Sequence, residues 1–464
     1  MRTTPRLLAA FLVLAGASAA RATVVEGSSS TIVTGGQQTR GGLAGEKPEL
    51  VSVIPAFEIV TVSAREISAP LLDELQVNFS GWGSYDIGKP RWDAGVTGNS
   101  TGDVTSGYLL ARFAHRAVTL RAGRETIAAG AGGMLQIDGG DIAVRLPFGI
   151  SLSGYAGAPV AQRFSSRSGE LSWNPAGGDM AYGGRLGWTL PIAGTYGRGL
   201  ELGVSAVDVT DGGHEVRQDA GLDLRLAPIA GLVISGTGTY SLYEARLAEA
   251  SVVAVWDATR KLFISADFRF TSPDLFLSRQ SILSVFADSN RKDFGGGVRY
   301  KFSEALSAGV DAHLLMEPGE GDSTQTGSEL GARAEWEHGG TRAGVELSYL
   351  DTGSKGYTGG RLYGRQQIDR LFLLADVSGY AFKEAVNGQT STVTGTIGGG
   401  FQLASNWSVV VAGRAGVTPF LEQQADLTVK LVYASVYRST VSSSNAAVAP
   451  ARTLTQQPKT KESK

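Results

Sequence analysis

The 464-residue sequence contains no cysteine. That excludes a disulfide framework, a thiolate metal site and a cysteine nucleophile together. Histidine is scarce, with four copies (His115, His214, His313 and His338). Neither sign of charge dominates: 42 Lys and Arg stand against 44 Asp and Glu, a formal net charge of −2, so there is no electrostatic case for a nucleic-acid partner. Beyond the N-terminus no uncharged apolar run approaches the roughly 20 residues that a membrane helix needs. Proline is modest at 15 copies, whereas glycine is plentiful at 63 without a collagen repeat. Such a balance suits tightly turned, closely packed strands better than long helices.

The N-terminus reads as an export signal. Arginines at 2 and 6 precede an apolar run from Leu7 to Ala15 and small residues at Ala17, Ala19, Ala20 and Ala22. This is a secretory signal peptide over 1–22. Residues 23–47 are rich in Ser, Thr, Gly and Gln, and 48–70 hold one alternating run interrupted by Pro55. The expectation for 23–70 is a flexible leader with a short strand or periplasmic plug. Residues 438–464 are too polar and too rich in Pro and Lys to pack a core, and are expected to form a disordered tail.

From Leu71 to Tyr437 the sequence alternates at period two. In DAGLDLRLAPIAGLVISGTGTY, Ala220, Leu222, Leu224 and Leu226 fall on one side, and Asp219, Asp223 and Arg225 on the other. After the break APIA the beat resumes through Leu232, Ile234 and Tyr240, which writes a hairpin. Breaks between such runs come in two kinds that take turns. Tight ones fall near 114–117, 147–149, 227–230, 303–305, 338–341 and 369–370, and longer ones near 86–106, 126–137, 157–178 and 271–291. Strict turn-taking puts all tight turns at one end of the strands. The prediction is an all-β fold: a closed antiparallel up-and-down transmembrane β-barrel of about 18–20 strands over 71–437, set in the bacterial outer membrane.

Alternation alone does not separate a membrane barrel from a soluble sandwich. The aromatic positions do. On the apolar face, Phe113, Trp188, Trp256, Phe302, Trp336, Phe401, Trp407 and Tyr437 fall beside tight turns, and Tyr85, Tyr182, Tyr240, Phe294 and Tyr349 near the other ends. Rings at both strand ends with aliphatics between them form the two interfacial girdles of a lipid-embedded wall, whereas a soluble core places its rings in mid-strand. Because lipid neither hydrates nor pairs a backbone N–H, the sheet must close on itself. The opposite face then lines the lumen. It carries Arg112, Arg121, Arg145, Arg185, Asp223, Arg225 and Asp267, and further along Arg269, Arg299, Asp311, Arg333, Glu335 and Arg414. Acids and bases two residues apart (Asp223 with Arg225, Asp267 with Arg269, Arg333 with Glu335) predict local transverse fields and weak ion selectivity.

On these residues the chain resembles the porin-like outer-membrane β-barrels of Gram-negative bacteria. Its final strand, ADLTVKLVYASVY, is similar to the terminal signal read by that class's insertion machinery, although the chain continues for 27 residues past Tyr437. The resemblance implies lipid and lipopolysaccharide around the barrel, the insertion machinery as a partner, and passage of polar solutes or a hydrated polymer. Polysaccharide-export porins share this plan. The alternative expectation is a barrel that anchors a larger envelope complex through periplasmic components, with 23–70 and 438–464 as handles. No enzyme is expected: Asp311 and His313 share an inward face, but no nucleophile is fixed near them. AGAGGMLQIDGGD (129–141) lacks the Lys-Ser/Thr of a phosphate loop and reads as a loop, and EPGEGD (317–322) does not match a calcium loop. Neither a cofactor nor a metal is expected.

Overall fold

A computed structural model gives the architecture. The structure describes residues 24–438 except 41–48, 68–70, 88–99, 161–162, 165–170, 173–178, 192–198, 212, 273–289, 319–322, 353–355, 387 and 420. The signal peptide, the tail beyond 438 and most of the longest predicted loops lie outside the described residues. No helix among the described residues is long and apolar enough to cross a membrane.

The wall begins with β1 (Val24–Arg40), β2 (Glu49–Val53) and β3 (Pro55–Ile67), followed by β4 (Glu74–Asp86) and β5 (Ser100–Phe113). Next come β6 (Val118–Ala128), β7 (Met134–Arg145) and β8 (Ile150–Pro159). A two-residue ladder of β9 (Arg163–Phe164) with β10 (Leu171–Ser172) stands apart as its own small sheet. The wall continues through β11 (Met180–Pro191), β12 (Gly199–Asp211), β13 (His214–Ile229), β14 (Leu232–Ser241), β15 (Arg246–Asp257) and β16 (Leu262–Thr271). It is completed by β17 (Arg291–Lys301), β18 (Leu306–Pro318), β19 (Thr324–His338), β20 (Thr341–Asp351) and β21 (Gly356–Ile368), then β22 (Leu371–Val386), β23 (Gln389–Ala404), β24 (Trp407–Thr418) and β25 (Leu421–Arg438).

Each wall strand pairs antiparallel with its neighbours in sequence, and β1 closes the ring by pairing with β25 from Val24↔Arg438 to Gly35↔Leu427. The other edge of β1 pairs with β3 from Val24↔Arg65 to Val33↔Ala56, and above that with β2. Pro55 carries no N–H, so one wall position is split into β2 and β3 there. The result is a closed up-and-down barrel of 22 strands. At ordinary strand spacing and a tilt of about 40°, 22 strands make a ring about 40–45 Å across between backbones.

Twenty of these strands fall after residue 71, where the alternation is clear; the other two are a correction. The segment expected to be a flexible leader with a strand or plug supplies β1 to β3, which are part of the wall and complete its closure. The cause is visible on the faces. On the side shared with Leu427, Val429, Leu431 and Tyr433, β1 presents Gly35, Val33, Thr31 and Ser29, while its other side presents Ile32 beside Phe57 of β3. Hydroxyls and aliphatics occur on both faces of β1, so the local contrast that marks the other strands is lost. Glu58 also points outward here, and its carboxylate accepts from the hydroxyls of Ser29 and Thr31.

Elsewhere the two faces separate as the alternation requires. Leu152, Leu186, Val204 and Leu222 share one outer row across β8, β11, β12 and β13, through the pairs Leu152↔Leu186, Leu186↔Val204 and Val204↔Leu222. Each is 50–56% exposed in the bare protein. A large exposed aliphatic surface of this kind is what a hydrocarbon environment covers. The backbone groups of this wall are satisfied strand to strand around the ring, which is the condition for crossing lipid.

Candidate functional site: the lumen wall

The inner face is built by the strands' second parity. With Leu222 outside, Asp223 and Arg225 point in; with Val204 outside, Glu201, Ser205 and Val207 point in. Acids and bases meet there, but not as neighbours along one strand. Residues two apart on a strand lie nearly 7 Å apart, whereas cross-strand neighbours are about 5 Å apart. Asp223 takes Arg185 of β11, two strands away, whose long side chain reaches it with Nη2 2.5 Å from Oδ1 and Nε 3.0 Å from Oδ2. Arg225 takes Glu201 at 3.4 Å, and Glu335 takes Arg342 at 2.6 Å and the Tyr363 hydroxyl at 2.9 Å. Asp223, Arg225 and Glu335 thus pair across strands rather than along one.

The Arg185–Asp223 pair spans β12, which lies between its two strands. It crosses at Gly203, where any Cβ would overlap both the guanidinium and the carboxylate. Similar bridges run round the ring. Arg112 reaches Glu74 at 2.6 Å, Arg121 reaches Asp141 at 2.6 Å and Glu125 at 3.1 Å, and Arg414 reaches Asp426 at 2.6 Å. Arg361 clamps Asp376 with Nη2 2.5 Å away and Glu346 with Nη1 at 3.2 Å. Of the expected lining residues, Arg299 stacks over the Phe263 ring at 4.8 Å. Arg145, Arg269, Asp311 and Arg333 also occupy the inner parity, and make no ion pair among the described residues. The alternation could not show Glu74, Glu201, Glu346 or Asp426 as their neighbours' counter-ions, because that depends on register between strands.

One connection folds inward. Between β6 and β7, a single 3-10 turn at Gly130–Gly132 leaves the wall and rests on the inner faces of β12, β13 and β14. Arg217 Nη2 donates to Gly132 O at 2.8 Å, and the Thr239 hydroxyl donates to Ala131 O. Beneath it lies an apolar cluster of Ile127, Ala129, Ile137, Tyr155, Ala181 and Val207, all buried, with Leu135 and Val209 packed against it. Of the glycine-rich stretch 129–141, expected to be a loop, residues 129–133 form a latch across the inner wall and residues 134–141 belong to β7. Gly130 and Gly133, with φ of 63° and 80°, supply the left-handed backbone that turns it inward.

Trp188, Trp256, Phe302, Trp336, Phe401, Trp407 and Tyr437 are exposed, and Phe113 is half-buried, all toward the tight-turn ends. Trp407 contacts Tyr433 with ring centroids 4.7 Å apart, and Phe302 contacts Tyr300 edge-on at 5.0 Å. Tyr85, Tyr182, Tyr240, Phe294 and Tyr349 are exposed toward the opposite ends.

His313 shares the inner face with Asp311, as expected, and its imidazole turns to the neighbouring strands. Its Nδ1 lies 3.0 Å from Asp293 Oδ1 and 3.7 Å from Asp267 Oδ2.

No family model and no curated protein matches the sequence. Solved structures do match the fold. A mutant of the ferric enterobactin receptor PfeA from Pseudomonas aeruginosa, in complex with enterobactin, superposes with a TM-score of 0.55 at 12% identity, covering 89% of this chain and 81% of that one. OccAB4 of Acinetobacter baumannii gives a TM-score of 0.44 at 6% identity over 90% of this chain and 99% of that one. The P pilus usher PapC translocation pore gives 0.46 at 8% identity over 89% and 99%. At such identities the likeness concerns fold. The fold shared with the receptor, the closed ring and the apolar exterior together show a transmembrane β-barrel of the outer-membrane type.

Proposed function

We propose that the barrel is a passive pore for polar solutes or a hydrated polymer, with polysaccharide export a candidate form. The supporting observation is the lumen wall: its charges are mostly neutralised in place by cross-strand partners, such as Arg185 with Asp223 and Arg361 with Asp376. A wall of closed ion pairs presents dipoles rather than a net field, so it neither concentrates one sign of ion nor excludes neutral, heavily hydrated molecules. Rings on the same face, among them Tyr357 and Tyr380 in edge contact at 5.4 Å, offer flat apolar surfaces to sugar rings passing between the charges.

Rings of 16–18 strands hold aqueous channels, and 22-stranded transporters carry a plugged lumen. Here, among the described residues, the inward material is the latch at 129–133. The anchor reading drew on two handles; β1 to β3 now belong to the barrel, which removes one of them. The lipopolysaccharide, insertion-machinery and periplasmic partners belong to this proposal.

Planar-bilayer recording with the purified full-length chain tests it. The expected result is a steady conductance with weak cation–anion preference, together with swelling of proteoliposomes in neutral oligosaccharides. Inserted protein that passes neither current nor sugar overturns it.

A further inference from the structure

We propose that Asp267, Asp293 and His313 form a binding site for a divalent transition-metal ion of the zinc class on the lumen wall. The three residues lie on adjacent strands β16, β17 and β18, and the register brings them to one place. Asp267 pairs with Gly295, Gly295 pairs with His313, and Asp293 is two residues from Gly295 on the same face. A side chain at 295 would overlap the imidazole, so glycine lets the ring lie across β17 toward both carboxylates. One ligand atom from each residue falls within 4.8 Å of the others.

The spacing suits a small tetrahedral ion. Zinc bonds to imidazole nitrogen and carboxylate oxygen at about 2.0–2.2 Å, which sets ligand atoms about 3.3–3.5 Å apart. The observed separations from His313 Nδ1, 3.0 Å to Asp293 and 3.7 Å to Asp267, bracket that distance. One imidazole with two carboxylates is a donor set for zinc, manganese, iron, nickel or copper rather than for calcium, which gathers six to eight oxygens. The three side chains remain 17–27% exposed, so an ion can enter from the lumen and complete its shell with water. Three protein ligands and an open position describe an exchangeable site rather than a closed structural one.

Charge context separates this cluster from a mere His–Asp hydrogen bond. That bond explains the 3.0 Å contact with Asp293, but not a second carboxylate held beside it with no base. Around most of the ring, inward acids have arginine partners. Here Asp267 and Asp293, and on the same face Asp311 and Glu329 (which stands directly opposite His313), make no ion pair with Arg or Lys among the described residues. The bases that face the cluster are Arg269, opposite Asp293 in register but not paired with it, Arg291, two residues from Asp293 and paired with Glu317 at 3.9 Å, and Arg299, which is stacked on Phe263. Carboxylates gathered without counter-ions attract a cation.

The test is titration of tag-free, detergent-solubilised full-length protein with zinc chloride by calorimetry, with heat-modifiable gel mobility confirming the folded barrel. The expected result is one ion per chain, with binding weakened about tenfold or more by Asp293→Asn and by His313→Ala, and unchanged by Asp311→Asn. Should His313→Ala fail to fold, the nearly isosteric Asp293→Asn carries the comparison. No saturable binding by the wild type, or equal binding by Asp293→Asn, overturns the site. Since no current is read, failure here leaves the pore proposal standing.

Discussion

Leu222→Arg puts a cation into the outer row formed with Leu152, Leu186 and Val204, where Leu222 is 56% exposed in the bare protein. If hydrocarbon covers that row near mid-bilayer, arginine there costs about 2–4 kcal/mol, or roughly 30- to 1,000-fold in the folding equilibrium. The proper control is one position away in parity. Thr237 pairs with Asp223 on the adjacent strand, faces the lumen and is exposed. Thr237→Arg keeps its charge in water beside a carboxylate and is expected to change stability by no more than about 0.5 kcal/mol. Denaturant titration of both variants in phospholipid vesicles, followed by tryptophan fluorescence, measures the difference. Equal stabilities, or a larger loss for Thr237→Arg than for Leu222→Arg, would refute the assignment of faces.

Three other perturbations probe the interior and the seam. Gly203→Val obstructs the crossing point of Arg185 and Asp223, and is expected to destabilise by about 2 kcal/mol through overpacking and the lost pair; the same titration reads it. Ser30→Pro breaks β1 between β25 and β3, so the barrel should fail to reach its heat-modifiable folded form. A mobile leader would tolerate that change. Replacing residues 129–133 by Asn-Gly removes the latch and its contacts with Arg217 and Thr239, and should raise single-channel conductance. Unchanged conductance would mean that the latch does not narrow the path.

Legibility in the sequence followed the physics of each feature. Period-two alternation is local, so the hairpin of β13 and β14, its turn near 230 and the inward direction of Asp223 and Arg225 could be read directly. Closure could not. It joins Val24–Gly35 to Leu427–Arg438 across nearly the whole chain, and the strand that makes it exposes Ser29 and Thr31 where its neighbours expose aliphatics. The same limit applies to the lining. Alternation selected which residues point inward, but partner choice needs register, so Asp223 was matched with Arg225 rather than with Arg185, two strands away. His313 shows this most clearly. Its sequence neighbour Asp311 shares the face, yet the groups within reach are Asp293 and Asp267, brought close by pairings through Gly295. Abundant glycine was a usable signal for close packing, but it did not reveal which glycine a side chain would cross.

The natural absence of cysteine allows single spin labels to be placed without background. Labels at Leu222→Cys, Asp223→Cys, Leu224→Cys and Arg225→Cys, in protein reconstituted into bilayers, can be relaxed by oxygen or by a water-soluble paramagnetic chelate. Oxygen should dominate at 222 and 224, and the chelate at 223 and 225. Uniform access of the chelate at all four positions would contradict a wall that stands between lipid and water.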